Sequence, residues 1–205
     1  MSIRDRFAKH QDEVWRKLSE ELGGVFKNED GWRHDEVEVR EGDWTVRLSF
    51  TAHAGRRSEA IYTCFRAPFI NPEKFRFELY REELAHGIGK LLGMQDVQIG
   101  DRTVDKMFMI KATDEKKVRE LLADEELRKL LATEQDLHVV VRAAVDGFGD
   151  GFPEEGVDEL VVEVPGKVDD GERLKRLYRL FALLLHGIGR FSPAYRRDTM
   201  VQPKG

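Results

Sequence analysis

The 205-residue chain carries one cysteine, Cys64. A disulfide framework is thereby excluded, and so is a zinc site built on cysteines. No apolar run approaches the roughly 18 residues that a membrane-spanning helix needs. The first residues, Met1 to Arg6, lack the apolar core of a signal peptide, so a cytoplasmic protein without a membrane role is expected. There is no basic arm either. Lys and Arg number 34 against 39 Asp and Glu, and the net charge of −5 is shared between the two halves of the chain. Nucleic-acid binding draws on concentrated positive charge to displace counterions, so no nucleic-acid partner is expected.

Catalytic signatures are missing as well. The six histidines (His10, His34, His53, His86, His138 and His186) include no pair at i, i+4, and none stands with Glu at metalloprotease spacing. Ser49, Ser58 and Ser192 lack the Gly-x-Ser-x-Gly elbow. Gly89-Lys90 is followed by Leu91, where a phosphate loop needs Ser or Thr. No catalytic residue and no cofactor is therefore predicted, and the reading leans away from an enzyme. Labile amides are scarce too: two Asn (Asn28, Asn71) and five Gln in a chain that is 36% charged. That is the habit of heat-adapted proteins, and equally of a genome rich in Arg, Glu and Gly codons.

What is present is a run of periodic segments. Ile3, Phe7, Val14, Trp15, Leu18 and Leu22 form one helical stripe, with Ser2 as N-cap, Asp5 in the first turn and Gly23-Gly24 as its stop. Val37, Val39, Trp44, Val46, Leu48 and Phe50 alternate with polar residues around a turn at Glu41-Gly42-Asp43. With Ala60–Phe65, after a turn at residues 54–57, and with Phe75, Phe77 and Leu79, the block from 35 to 81 predicts an antiparallel meander. Its polar alternate residues predict that one face meets water or a partner. Residues 82–105 are irregular: a helix on Leu84, Ile88, Leu91 and Leu92 is weakened by glycines, and Val97 and Ile99 suggest a short strand.

Beyond them, Met107 to Ile110 predict a strand. Thr113 is placed to cap a helix on Val118, Leu121 and Leu122, which Asp124 restarts through Leu127, Leu130 and Leu131. Leu137–Val141 with Ala143–Val145, and Leu160–Val164, predict two more strands, the second ended by Pro165-Gly166. A last helix starts near Asp170. It is apolar on nearly all sides from Leu180 to Leu185, so it should be the most buried. His186-Gly187-Ile188-Gly189-Arg190 repeats His86-Gly87-Ile88-Gly89-Lys90, and both are read as helix ends terminated by glycine. The tail from Ser192 is expected to be loose or used for association.

Strands in blocks between helices give an α+β fold, mainly antiparallel, with an N-terminal helix, a central helix pair and a buried C-terminal helix. One domain over 1–205 is the expectation. Sub-domains at 1–82 and 105–190, joined by 83–104, are the alternative.

Three groups of residues could carry function. Asp96, Asp101 and Asp105 crowd a glycine-containing stretch and are the candidates for a divalent cation, with turn and strand-end capping as their plainer use. Seven acids and no base lie between Arg142 and Lys167, around Phe148 and Phe152, which either fold back or offer a contact site. Arg173, Arg176 and Arg179, with Lys175, make a basic start to the last helix that could meet an acidic partner. Cys64 and His138, each within an apolar strand, read as buried and structural.

Two stretches, Phe75–Arg81 continuing to Gly89–Asp101, and Asp105–Lys111 followed by its Leu-rich helix, resemble a group of uncharacterised bacterial proteins over roughly residues 60–135. That resemblance implies a bacterial origin and brings no activity. The element order is similar to that of class I type III secretion chaperones, which are small, acidic, dimeric partner-binders. The expectation from all this is a non-enzymatic interaction module of chaperone or adaptor type, a homodimer that binds a protein partner. Its rival is a small-ligand or metal binder, or a hydrolase, with a pocket between the sheet and the last helix served by the three aspartates or His86.

Overall fold

The computed structural model describes residues 3–28, 35–54, 59–81, 93–134, 136–144 and 156–195. Ser2, the side chains of Ile3, Asp5 and Phe7, the turn at 55–58, the stretch 82–92 with its His-Gly-Ile-Gly motif, Phe148 and Phe152 in the acid-rich loop, and the tail past 195 lie outside the described residues.

Among the described residues nine strands form one sheet, and every neighbouring pair is antiparallel. They are β1 (Val25–Lys27), β2 (Glu36–Glu41), β3 (Trp44–Ala54), β4 (Glu59–Ile70), β5 (Phe77–Tyr80), β6 (Gln95–Asp96), β7 (Met109–Ala112), β8 (His138–Ala143) and β9 (Val157–Pro165). Their order across the sheet is β1-β2-β3-β4-β9-β8-β5-β7-β6. Five α-helices accompany them: α1 (Ile3–Glu21), α2 (Arg102–Met107), α3 (Glu115–Leu121), α4 (Glu125–Thr133) and α5 (Gly171–Gly189). The fold is α+β, as the blocks of strand-forming sequence predict.

Alternation divides each strand between two faces. Val37 and Val39, Val46, Leu48 and Phe50, Phe65, Ala67 and Phe69, Leu160, Val162 and Val164, and Val139 and Val141 all join one apolar core with the helices. From the helices come Trp15 and Leu18 of α1, Val118 and Leu121 of α3, Leu127 and Leu131 of α4, and Leu174, Leu177, Leu180, Phe181, Leu184 and Leu185 of α5. The helices thus line the inner face. The outer face has a small buried apolar cluster of its own, Cys64, Val140 and Val161.

Several sequence expectations are corrected. The meander holds for β2, β3 and β4 but not for the strand at 77–80. β9 pairs with β4 instead, and β9 and β8 separate β4 from β5, which lies between β8 and β7. Alternation shows which residues face inward and says nothing of which strand is the neighbour. Met107 belongs to α2, not to a strand. This helix is only six residues long, too short for periodicity to reveal. Thr113 is not a cap. Its N–H donates to the Arg76 carbonyl, its Oγ1 accepts the Arg76 N–H at 3.0 Å, and Asp114 caps α3 in its place by accepting the Lys117 N–H. The short strand before Gly100 falls on Gln95–Asp96, although the Val97 N–H does reach the Ile110 carbonyl. Gly187 and Gly189 stand at the end of α5 for a different reason than a glycine stop. The helix does end at Gly189, its last residue, but neither glycine has the positive φ of a glycine stop; both are buried, Gly187 lies inside the last turn, and Arg190 is the C-cap. A Cβ on Gly187 would stand 2.3 Å from Leu121 Cδ1, and one on Gly189 would stand 2.9 Å from the Trp44 ring. These glycines let α5 approach α3 and β3.

Candidate functional site

The outer face is where polar chemistry collects. In an antiparallel sheet, directly opposed residues share a face. Register sets Cys64 opposite Glu163, and Glu163 opposite His138. The next row runs Glu38, Arg47, Arg66, Val161, Val140, Glu78, Lys111 and Asp96 across eight strands. Around these rows a chain of hydrogen bonds and ion-pair contacts assembles. His53 Nε2 sits 3.2 Å from each oxygen of Glu163. Thr51 Oγ1 donates to Glu163 Oε1 at 3.2 Å. His138 Nδ1 faces Glu163 Oε2 at 3.8 Å, and its Nε2 lies 3.0 Å from Glu78 Oε1. Four strands, β3, β9, β8 and β5, are joined by this alternation of imidazole and carboxylate.

Both carboxylates are out of water: the side chains of Glu163 and Glu78 are 6% and 4% exposed. Burial pushes the Glu163 carboxyl up, but its bonds with His138 and His53 outweigh it and hold the group far below its ordinary range. The bond to Glu163 raises the His53 pKa against a smaller burial effect. At His138 burial pulls the pKa down, and Glu163 and Glu78 together more than restore it. Burial and the nearby Glu163 charge raise the Cys64 thiol well above its usual value, which makes it a poor nucleophile. Further along β9, Arg142 Nε donates to Glu159 Oε1 at 2.8 Å, and Arg76 bridges Asp158 at 3.0 Å. Glu159 is fully buried, and its Oε2 accepts no hydrogen bond among the described residues.

A second polar cluster closes the helical side. Tyr178 donates to Glu41 Oε2 at 2.5 Å, and His186 Nε2 lies 2.8 Å from Glu41 Oε1. Trp44 packs edge-on to His186 and against Tyr195. This ties the β2–β3 turn to the end of α5.

The sequence candidates fall elsewhere. Asp101 caps α2 by accepting the N–H groups of Thr103 and Val104, and it pairs with Arg128 at 3.2 Å. Asp105 accepts the N–H groups of Ile99 and Gly100. Asp96 lies on β6, opposite Lys111. Among the described residues, no three His, Cys, Asp or Glu side chains are grouped to hold a metal ion. The arginines of α5 find their acids within the chain: Arg173 bonds Glu134 at 3.0 Å with Arg176 beside it at 3.8 Å, and Arg179 grips both oxygens of Glu126 at 2.8 and 2.9 Å. Lys175 pairs with Glu21 and Glu172. Their acidic partner is α4, with α1 and the start of α5. The gap walled by Leu18, Leu22, Val39, Leu48, Phe65 and Tyr178, mostly beneath α1, leaves no space for a water. A cleft of about 250 Å³ lies instead between α1 and the start of α5, lined by Val14, Lys17, Glu21, Asp170, Glu172 and Lys175 among others.

The His53–Glu163–His138–Glu78 chain had no signature in the sequence. Its members are up to 110 residues apart, and only strand register brings them together. The available signal was that His138 and Glu163 flank or interrupt the apolar runs Val139–Val141 and Leu160–Val164. Comparison with known proteins adds no relative: no protein-family model, no curated protein and no solved structure matches the chain.

Proposed function

We propose that the protein is a non-enzymatic interaction module of adaptor or chaperone type that works as a homodimer and binds a protein partner. The observation that carries this reading is the edge of the sheet at β1. Its described strand neighbour is β2 alone, and Val25 is 59% exposed, more than Ile70 or Met109. An open edge takes another strand through main-chain hydrogen bonds. Pairing β1 with its own copy about a two-fold axis through Phe26 extends the sheet in the antiparallel sense of every existing pair, and it sets Val25 against Lys27 of the second copy. Among the described residues the three exposed large apolar side chains lie on three different strands, which suits a backbone-led contact better than an apolar interface.

Native mass spectrometry of gently purified protein tests this. The expected result is twice 23.7 kDa with no added mass. The Val25→Lys variant sets like charges face to face across the pair and is expected to run as a monomer. A wild-type monomer at every concentration overturns the dimer. A stoichiometric extra mass overturns the module reading in favour of a ligand binder, for which the cleft between α1 and α5 has the room.

A further inference from the structure

The sheet has a narrow seam. β4 and β9 are paired over nine residues and β8 and β9 over six, but β5 and β8 share only two registered pairs, Glu78 with Val140 and Leu79 with Val139. Across this seam, on the outer face, runs the contact from His138 to Glu78.

The geometry at His138 restricts its protonation. An ionised carboxylate can only accept hydrogen bonds. His138 presents Nε2 to Glu78 at 3.0 Å and Nδ1 to Glu163 at 3.8 Å. A neutral imidazole has one N–H, so it would turn a lone pair toward one of two buried carboxylates. Only the doubly protonated ring faces both with hydrogen. His53 is under no such demand, because one N–H on its Nε2 serves both oxygens of Glu163.

We propose that His138 is a protonation-controlled latch on the β5–β8 seam: charged, it ties Glu78 of β5 to Glu163 of β9, and on losing its proton it can donate to only one of them, leaves their charges uncompensated and so loosens β5. The groups around it support this assignment. β9 contributes Glu163, β4 the un-ionised Cys64 opposite it, β5 Glu78 and the edge-on Tyr80 ring, β3 His53, and β8 itself Arg142. Lys111 of β7 stands opposite Glu78 but leans toward the Tyr80 ring and Asp96, so it shares Glu78 without replacing the latch. Two carboxylates and one imidazolium balance better than two carboxylates and a neutral ring, whose buried charges would then repel. Among the described strands the seam has as few registered pairs as the β6–β7 edge, and fewer than any other pairing.

Two measurements on the full-length protein decide the matter. The ¹⁵N imidazole spectrum at pH 6 is expected to show both His138 nitrogens protonated; a single neutral tautomer there overturns the proposal. Hydrogen–deuterium exchange is then followed from pH 6 to pH 9 in peptides covering 77–80 and 138–143, each rate divided by its intrinsic rate. The corrected rate is expected to climb by up to ~tenfold per pH unit once the ring deprotonates, one proton's worth of linkage, while peptides of α5 stay protected. His138→Gln is expected to exchange fast at the seam at every pH, and His53→Gln to keep the wild-type pH dependence. Protection at the seam that does not change with pH, or that changes equally in α5, overturns the latch. Should His138→Gln not fold, the wild-type spectrum and exchange profile still decide.

Discussion

At the scale of single residues, burial rather than residue type decides what each group can do. Cys64 is 1% exposed and its thiol is held in the protonated form. A thiol-specific reagent at pH 8 is expected to leave the native protein unlabelled and to label one site per chain in guanidinium; prompt native labelling would show that the outer face opens at Cys64. Gly187 has the opposite problem, having no side chain because Leu121 occupies the space. Alanine is the better helix former by about 1 kcal/mol, so a glycine that only ended the helix would tolerate it. Overpacking costs about 1–3 kcal/mol. Gly187→Ala is therefore expected to lower the urea midpoint, and Gly189→Ala to do the same against the flat Trp44 ring. A raised midpoint in both variants would return these glycines to the role of helix stops.

At the scale of elements, the charged stripe on α5 is a joint. Arg173 and Arg176 both turn to Glu134, the residue that ends α4 and whose side chain is 4% exposed. Removing Arg173 leaves a buried carboxylate with one distant partner, a loss of roughly 2 kcal/mol. Arg179 and Glu126 make the better-formed, two-pronged pair, but both are more than half exposed, and exposed pairs contribute little. Arg173→Ala is expected to destabilise clearly in urea, and Arg179→Ala to leave the midpoint where it was. Equal losses would mean that the α4–α5 joint depends on charge number and not on burial. The sequence shows this stripe as a spaced set of arginines. Its acids lie some 40 to 50 residues upstream on another helix, so no pattern within α5 could disclose that they were already paired.

At the scale of the whole molecule, the outer-face chain makes stability depend on pH with a definite sign. His53 and His138 bind protons more tightly folded than unfolded. Their stabilisation is complete below the ordinary histidine value of 6.5 and is lost as pH rises through their raised folded values. Glu163 behaves oppositely: its contribution is complete above 4.5 and is lost as pH falls toward its lowered value. The cluster therefore stabilises most between those limits. Thermal unfolding is expected to show Tm falling between pH 6.5 and 9 in the wild type, and falling less in the His53→Gln, His138→Gln double variant. A Tm that rises over that interval would show the imidazoles to be neutral in the fold.

Local physics, readable from the sequence, determined the elements that have enough residues to display a period. α1 and α5 show their apolar stripes, Asp124 and Asp170 show their caps, and β2 to β4 show alternation around a glycine turn with positive φ at Gly42. It also determined the α+β class and the depth of α5. The tertiary structure alone decided which strands are neighbours, since alternation is the same whichever strand lies alongside. That choice inserted β9 and β8 between β4 and β5, brought His53, Glu163, His138 and Glu78 into one chain, and left a seam two residue pairs wide. It also decided why α5 carries glycine at 187 and 189, because a close approach is a property of two surfaces and only one of them is written in the helix.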